Sequence, residues 1–360
     1  MANEMINTSS LTNLKDWATD TSDILVDQFI QAVDVNGSFR LFTGLNNDTV
    51  FTTVNRPSLV LGHAKDCGST QGSTTTTTTG EITFSPTRVG FDMKVCVQDL
   101  KGIFRSARAT GNSELSFEDN ALSGYLKDLY AQQLPNELAR LAWFGDTDAA
   151  TTTASPTPGV FTSSDYIEFY DKIDGAWKLL FSYFAETANA GRLTEITQNS
   201  ETTQALQTLT ATEAYDYIKA VYNSRSLKMI AEEANGNLQF HVTSGIYDLF
   251  IQKLAEKDVN DAFAMLQMGN NGPTFLGIPI YRDLGWTRAI LENMTDANGV
   301  GYLPNRILLF NPDNIGVGFR EDSDSMELKS VYDEVEEVTY IRSAISMDVK
   351  LLNGDFAAAY

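Results

Sequence analysis

Apolar and polar positions alternate most regularly between residues 88 and 97. Val89, Phe91, Met93, Val95 and Val97 are separated by Arg88, Gly90, Asp92, Lys94 and Cys96. A period of two predicts a strand. A three- and four-residue period takes over at 117–144, where Phe117, Leu122, Tyr125, Leu126, Leu129, Leu134, Leu138 and Leu141 predict a long amphipathic helix. Ser116 is its candidate N-cap, with Asp119 three residues on. Pro135 is expected to kink it, and Trp143-Phe144-Gly145 marks its exit.

Before the alternating stretch the pattern is weaker. Residues 1–50 read as a polar, extended arm that begins with one short helix and has turns at Asn36-Gly37 and Asn46-Asn47-Asp48. An arm this polar needs something to lie on. Val50 to Ala64 is β-rich but interrupted by Pro57. Cys67 to Ser73 leads into six threonines, Thr74 to Thr79, and then Gly80. Such a tract has little to bury, so residues 50–100 predict a long hairpin-like loop with a Thr-rich tip. Residues 146–165, with Pro156 and Pro158, read as a loop. Tyr166 to Phe184 is strongly aromatic, and Ile173-Asp174-Gly175-Ala176-Trp177-Lys178-Leu179-Leu180 starts a second helix. Residues 189–210 are polar and form a plausible boundary.

From residue 210 onward helix and strand patterns alternate. Thr210-Ala211-Thr212-Glu213 is a capping box opening a helix with Ala214, Tyr217, Ile218 and Val221 on one face. Leu238 to Val242 predicts a short strand, and Ser244 is expected to cap a helix carrying Ile246, Leu249, Phe250 and Leu254. Gly277 to Tyr281 predicts a strand that Pro279 confines to an edge or a bulge. Arg306 to Phe310 reads as a strand, Asn311-Pro312-Asp313-Asn314 as a turn, and Tyr332 to Val349 as strand-like. Asn353-Gly354 is a hairpin signal. There is no internal repeat.

Composition narrows the function classes. The 360 residues are 42% hydrophobic and 20% charged. At about 100–200 residues per domain this length supports two or three domains with proper cores. Lys and Arg number 26 against 47 Asp and Glu, a net charge of −21. That leaves no obvious surplus for the basic stripe a nucleic-acid binder uses to release counterions. A membrane-spanning helix needs about 20 apolar residues in a row, and runs such as Ile307 to Phe310 fall far short. The opening heptad Met1 to Asn7 has no basic n-region, so no secretory signal is expected. The Asn-x-Ser/Thr triplets at Asn7, Asn47 and Asn293 therefore carry little weight. Two cysteines fit synthesis in a reducing cytosol.

The residues that could carry chemistry are few. His63 and His241 lie far apart, and Cys/His spacing for a tetrahedral zinc site is absent. Acid–base work would rest on carboxylates, Tyr or Lys. Gly316-Val317-Gly318 resembles the start of a dinucleotide loop, but the third glycine is missing and Arg320-Glu321 follows. A turn between strands is the better reading. No Gly-Lys-Thr/Ser loop and no Gly-x-Ser-x-Gly elbow occurs. Glu321, Asp322, Asp324, Glu327, Asp333, Glu334, Glu336 and Glu337 form the densest acidic run. Paired carboxylates can hydrolyse glycosides or bind calcium, but no calcium-loop spacing appears and a solvated face is favoured. Asp174-Gly175 beside Trp177 reads as a turn that starts a helix. Cys67 and Cys96 flank the threonine tract and could face each other, as reduced thiols or as a late disulfide. Aromatics fall at core spacing and do not interleave with basic residues as a base-stacking platform would. No catalytic, cofactor-binding or metal-ligating residue is assigned.

The order of parts is itself distinctive. Glu137-Leu138-Ala139-Arg140-Leu141-Ala142-Trp143-Phe144-Gly145-Asp146 runs through a loop to Asp174-Gly175-Ala176-Trp177-Lys178. Phe275-Leu276-Gly277-Ile278-Pro279-Ile280 follows, then Asn305 to Gly318, then Asp348-Val349-Lys350-Leu351-Leu352-Asn353-Gly354-Asp355. Together these resemble the major capsid protein of tailed bacteriophages, the HK-ninety-seven-type shell fold, over nearly the whole chain. The resemblance implies an α+β fold. Residues 1–54 would be an N-terminal arm and 55–100 an extended β-hairpin loop with its tip at 73–80. Residues 101–210 would be a peripheral domain with a spine helix at about 117–142. Residues 211–325 would be an axial α/β domain, and 326–360 strands returning towards the peripheral domain.

The same resemblance implies a shell protein that is not an enzyme. Copies would assemble as hexamers and pentamers through heterologous, ring-closing contacts and enclose double-stranded DNA without sequence-specific binding. The charge of −21 fits an acidic inner wall along which DNA slides. Scaffolding, portal and head-completion or decoration proteins are the implied partners, with no membrane, no cofactor and no metal. Assembly in the bacterial host cytoplasm and residence in the virion follow. The chain shows no charged helical extension before the arm, so a separate scaffold is expected. Lys65 lies in the loop, but no motif marks it for covalent crosslinking. Competing readings are an encapsulin-like nanocompartment shell, an acidic glycoside hydrolase using Glu321–Glu337, and a phage decoration or tail protein.

Overall fold

A computed structural model describes residues 37–46, 49–54, 79–96, 136–149, 164–256, 273–296, 298–320, 329–333, 338–352 and 354–360. The expected short helix of the arm, the threonine tip up to Thr78, Ser116, Pro135, the Pro156–Pro158 loop and the acidic stretches 321–328 and 334–337 lie outside these residues.

Thirteen strands are described: β1 (Arg40–Leu45), β2 (Thr49–Val54), β3 (Thr79–Phe84), β4 (Thr87–Cys96), β5 (Leu193–Thr194), β6 (Gln239–Thr243), β7 (Thr274–Phe275), β8 (Ile278–Asp283), β9 (Ile307–Phe310), β10 (Ile315–Arg320), β11 (Lys329–Asp333), β12 (Val338–Leu351) and β13 (Ala357–Ala359). The described helices are α1 (136–144), α2 (Ser164–Tyr170), α3 (Ala176–Ala185), α4 (Ala211–Asn223), α5 (Leu227–Ala234), α6 (Ser244–Ala255) and α7 (Leu284–Asn293).

A six-stranded sheet in the order β5-β13-β9-β6-β8-β7 forms the centre. It is covered on both faces, so its strands read as apolar runs and not as alternating ones. Phe240, Val242, Ile307, Leu309, Ala357 and Ala359 point into one core with Ala214, Ile218 and Val221 of α4 and Ile246, Phe250 and Leu254 of α6. Leu308, Phe310 and Ala358 point the other way, into a core built from α1, α3 and α7. Three tryptophans centre that second core. Trp143 and Trp177 meet Trp286 edge-on at 4.8 and 4.9 Å, and each such pair adds about 1 kcal/mol beyond its buried area. The capping box that opens α4 is fully formed, with Thr210 and Glu213 satisfying each other's backbone N–H.

The other sheet is organised by β12. One edge of β12 takes β4, from Val338 opposite Cys96 to Met347 opposite Thr87. Its other edge takes β11 over Val338–Arg342 and β10 over Met347–Leu351, and β1 runs parallel to β10 beyond. Ile315, Val317, Phe319, Met347 and Val349 join the tryptophan core, which therefore binds the two sheets together. On the opposite face of β10, Phe84 packs at 5.4 Å from Phe42 and 5.6 Å from Phe51. These rings seat the separate β2–β3 ribbon, whose base is also tied by a 2.8 Å bond from the Ser85 N–H to Asp348.

Several expectations are corrected. Gly316-Val317-Gly318 is not a turn but the middle of β10, hydrogen-bonded on both sides. Glycine is needed there because a Cβ on Gly318 would stand 2.3 Å from Leu45 and 2.8 Å from Phe84. Ser244 is not the cap of α6: Thr243 holds that position without a side-chain bond, and the Ser244 N–H donates to Thr287. The strand-like stretch Tyr332–Val349 takes in the end of β11 and most of β12, with Asp333 opposite Val338. Asn353 of the expected Asn353-Gly354 hairpin turn lies outside the described residues, and β12 and β13, which flank the pair, belong to different sheets. The return arm of the loop leaves its ribbon at Ser85 and continues as β4 on β12. The polar segment 189–210 contributes β5 and buries Ile196 and Leu209. Pro279 sits one strand in from the edge, opposite Thr274 of the two-residue β7. The turn between them holds Leu276 and Gly277 at φ +50 and +90.

Gly318→Ala is expected to lower the unfolding free energy by about 2 kcal/mol, because the new methyl overpacks the Phe84 seat. Gly245→Ala meets nothing within 4 Å and is expected to be neutral or to gain up to about 1 kcal/mol. Urea titrations of the two variants check the contrast, and equal effects would contradict this packing.

Candidate functional site

The residues that set the chain apart in sequence meet at one junction. Helix α1 ends where the Gly145 N–H bonds the Leu141 carbonyl at 2.9 Å, and the Gly145 carbonyl then accepts from the Gly175 N–H at 2.8 Å. The approach is backbone against backbone. A Cβ on Gly145 would lie 2.4 Å from the Ile173 oxygen, and one on Gly175 would lie 2.5 Å from the Gly145 nitrogen. Gly175 is also the N-cap of α3, so the expected turn at Asp174-Gly175 is present.

Lys178, in the first turn of α3, reaches back across this contact. Its ammonium lies 2.8 Å from Asp146, 2.8 Å from Asp148 and 2.7 Å from Asp174. Asp146 is 1% exposed. Thr147 donates to Asp174 through both its N–H and its hydroxyl. Burial works against the charge on Lys178, but hydrogen bonds to the three carboxylates outweigh it and hold the ammonium well above its ordinary range. Burial likewise opposes ionisation of Asp174, and the bonds from Lys178 and Thr147 outweigh it, so its carboxyl is held below the ordinary 3.8. Lys178 and Asp174 are both held in their charged forms. The cluster is a clasp between the end of α1 and the start of α3.

Two buried polar groups lie close by. Arg306, 1% exposed, has its guanidinium 4.8 Å from the Trp177 ring centre and 5.2 Å from that of Phe144. It donates to the Leu303 and Tyr302 carbonyls, and burial pulls it down to about 10. His241 lies 3.3 Å from Asp283 and beside Ser38. The residue types are those of a serine nucleophile triad, but the arrangement is not. The Ser38 hydroxyl is nearly equidistant from both ring nitrogens, at 3.4 and 3.5 Å, so it does not lie along one nitrogen's lone pair. Ser38, His241 and Asp283 are all buried. Asp283 also caps α7 through the Trp286 N–H at 3.1 Å. The trio fastens the segment before β1 to the six-stranded sheet.

Gly145-Asp146 and Asp174 to Lys178 stand out in the sequence, and the structure brings them together. The Lys178 clasp leaves only one local signal, the Asp174–Lys178 spacing of four. Nothing in the local pattern marked Arg306 or the His241 trio. His63, Lys65 and Cys67 lie outside the described residues, and Cys96 stands opposite Val338 on β4. Of the acidic run, Asp333 alone is described, on β11. Among the described residues no group of three or more His, Cys, Asp or Glu is placed to hold a metal ion, and no helix is long and apolar enough to cross a membrane.

No family model and no curated protein matches this chain. Among solved structures it is similar to a chain of the satellite phage P4 procapsid that includes the size determination (Sid) protein. The TM-score is 0.50 at 9% identity, covering 94% of this chain and 98% of that one. It is also similar to a chain of Microbacterium phage Oxtober96, with TM-score 0.47, 11% identity and coverage of 91% and 90%. A third is the capsid of the cyanophage P-SCSP1u, at 0.46 and 12%, with coverage of 90% and 86%. The P4 likeness gives the fold: the mixed α+β architecture is that of a phage procapsid chain, as the sequence resemblance implied.

Lys178→Ala leaves the buried Asp146 without its cation and is expected to cost about 3 kcal/mol of stability. The pH dependence has a definite sign. A depressed carboxyl stabilises the fold above its unfolded value, and that stabilisation is lost as pH falls through the folded value. The Tm difference between the wild type and Asp174→Asn should be flat above about pH 4 and shrink below it. A difference independent of pH would remove Asp174 from the clasp.

Proposed function

We propose that this chain is the structural subunit of an icosahedral capsid that encloses the double-stranded DNA genome of a tailed bacteriophage. The observation that carries the reading is the likeness in shape to the P4 procapsid chain over 94% of this chain and 98% of that one. Two features of the molecule support it. The β2–β3 ribbon forms a sheet of its own, seated at its base on Phe42 and Phe84, which suits a loop that lies over a neighbouring copy. The described polar clusters are also committed to holding elements together, with three carboxylates bound to Lys178 and Asp283 capping α7 beside His241.

Copies would close into hexamers and pentamers through heterologous contacts, with scaffolding, portal and head-completion or decoration proteins as further partners. Assembly would take place in the host cytoplasm, and the finished protein would reside in the virion without enzymatic activity. The net charge of −21 supports an inner wall that repels phosphate, so that packed DNA is enclosed without being bound. The nanocompartment alternative shares the architecture and differs in cargo.

Expressed with the head genes encoded beside it, the protein is expected to sediment as large closed particles; a chain that stays monomeric there contradicts the proposal. Particles recovered from infected cells should protect DNA from nuclease. Protected enzyme in place of DNA would favour the nanocompartment.

A further inference from the structure

Helix α5 is mounted on the body by its acidic edge. Ser226 caps it, accepting from the Met229 N–H at 3.1 Å. Leu227, Ile230, Ala231 and Ala234 recur at steps of three and four, the spacing of a stripe that normally faces a core. Here all four are exposed, and Met229 is the one buried residue of the helix. Glu232 and Glu233 complete the inward edge, both half-buried. A helix with so little buried apolar surface stands at the low end of local stability, so its polar contacts decide how firmly it is held.

The two carboxylates meet different surroundings. Glu233 pairs with Arg225 and accepts from the Tyr222 hydroxyl. Glu232 has its Oε2 fully buried and accepting no hydrogen bond. Lys228 of α5 and the Asn311 and Asn314 amides of the turn before β10 favour its charge, while burial and Asp355, before β13, oppose it. Asp313 of that turn is exposed. Asp355 is fixed where it stands. It accepts from the Ser226 hydroxyl at 2.6 Å and pairs at 3.1 Å with Arg192, which also bonds the Tyr183 hydroxyl. Burial, the largest of these influences, carries the balance and pushes the Glu232 carboxyl up. A buried carboxylate oxygen without a donor is costly. Protonated, the same group carries an O–H that can donate to a neighbouring amide oxygen or to Asp355.

We propose that α5 is a proton-operated latch, held firmly on the body while Glu232 is protonated and loosened when that carboxyl ionises beside Asp355. Linkage sets the direction. A group that holds its proton more tightly docked than free strengthens docking fully below its free value, the ordinary 4.5, and loses that strengthening as pH rises through the docked one. The latch gives this surface helix two states chosen by acidity, whatever the chain assembles into.

Hydrogen–deuterium exchange of the full chain between about pH 5 and pH 7.5, corrected for intrinsic rates, tests it. Protection of the 227–234 amides in the wild type is expected to fall at least about threefold across that range, while α6, in the core beneath the same sheet, stays unchanged. Glu232→Gln, close in size and neutral throughout, should keep the low-pH protection at every pH. Equal wild-type protection at both ends of the range would overturn the latch, as would a Glu232→Gln chain that retains the wild-type slope. A change in α6 as large as that in α5 would also overturn it, because the proton would then act on the whole fold. The wild-type comparison of α5 with α6 needs no variant and decides the question even where Glu232→Gln fails to fold.

Discussion

Close approach of two backbones at Gly145 and Gly175 fixes the arrangement of the larger core. Because neither residue has a Cβ, α1 can end directly against the start of α3, and Trp143 and Trp177 are both brought edge-on against Trp286. Lys178 closes the contact electrostatically by serving three carboxylates. Such a buried cluster contributes less net stability than its short distances suggest, since each ion must be desolvated. Its main effect is to admit one relative placement of α1 and α3.

From that junction the rest of the scaffold follows. The tryptophan core takes residues from both large sheets, so the six-stranded sheet and the β12 sheet are parts of one packed body. The His241 trio ties the segment before β1 to the six-stranded sheet, and Phe84 seats the ribbon on β10. Interior polarity is spent on fastening elements. The surface departs from the usual pattern in the opposite sense, with an apolar helical stripe facing out and acids facing in.

Much of the scaffold was legible in the sequence wherever a local rule sufficed. The alternation from Val89 onward became β4, the Thr210–Glu213 box became the start of α4, and the aromatic stretch ending at Phe184 became α3. Partner choice was not legible. Nothing local tells β4 to leave its ribbon for β12, or tells Gly316 and Gly318 that phenylalanine rings will press on them from β1 and β3. Those outcomes depend on which distant surfaces meet. The junction was half legible: its glycines and acids stood out as a motif, while the lysine joining them did not. Arg306 and His241 left no trace in pattern or spacing, because their environments are assembled from segments far apart along the chain.

Cryo-electron microscopy of the assembled protein tests the shell account most directly. It predicts a closed icosahedral particle in which the β2–β3 ribbon rests on a neighbouring copy. A solitary chain with that ribbon covered by its own residues would contradict it.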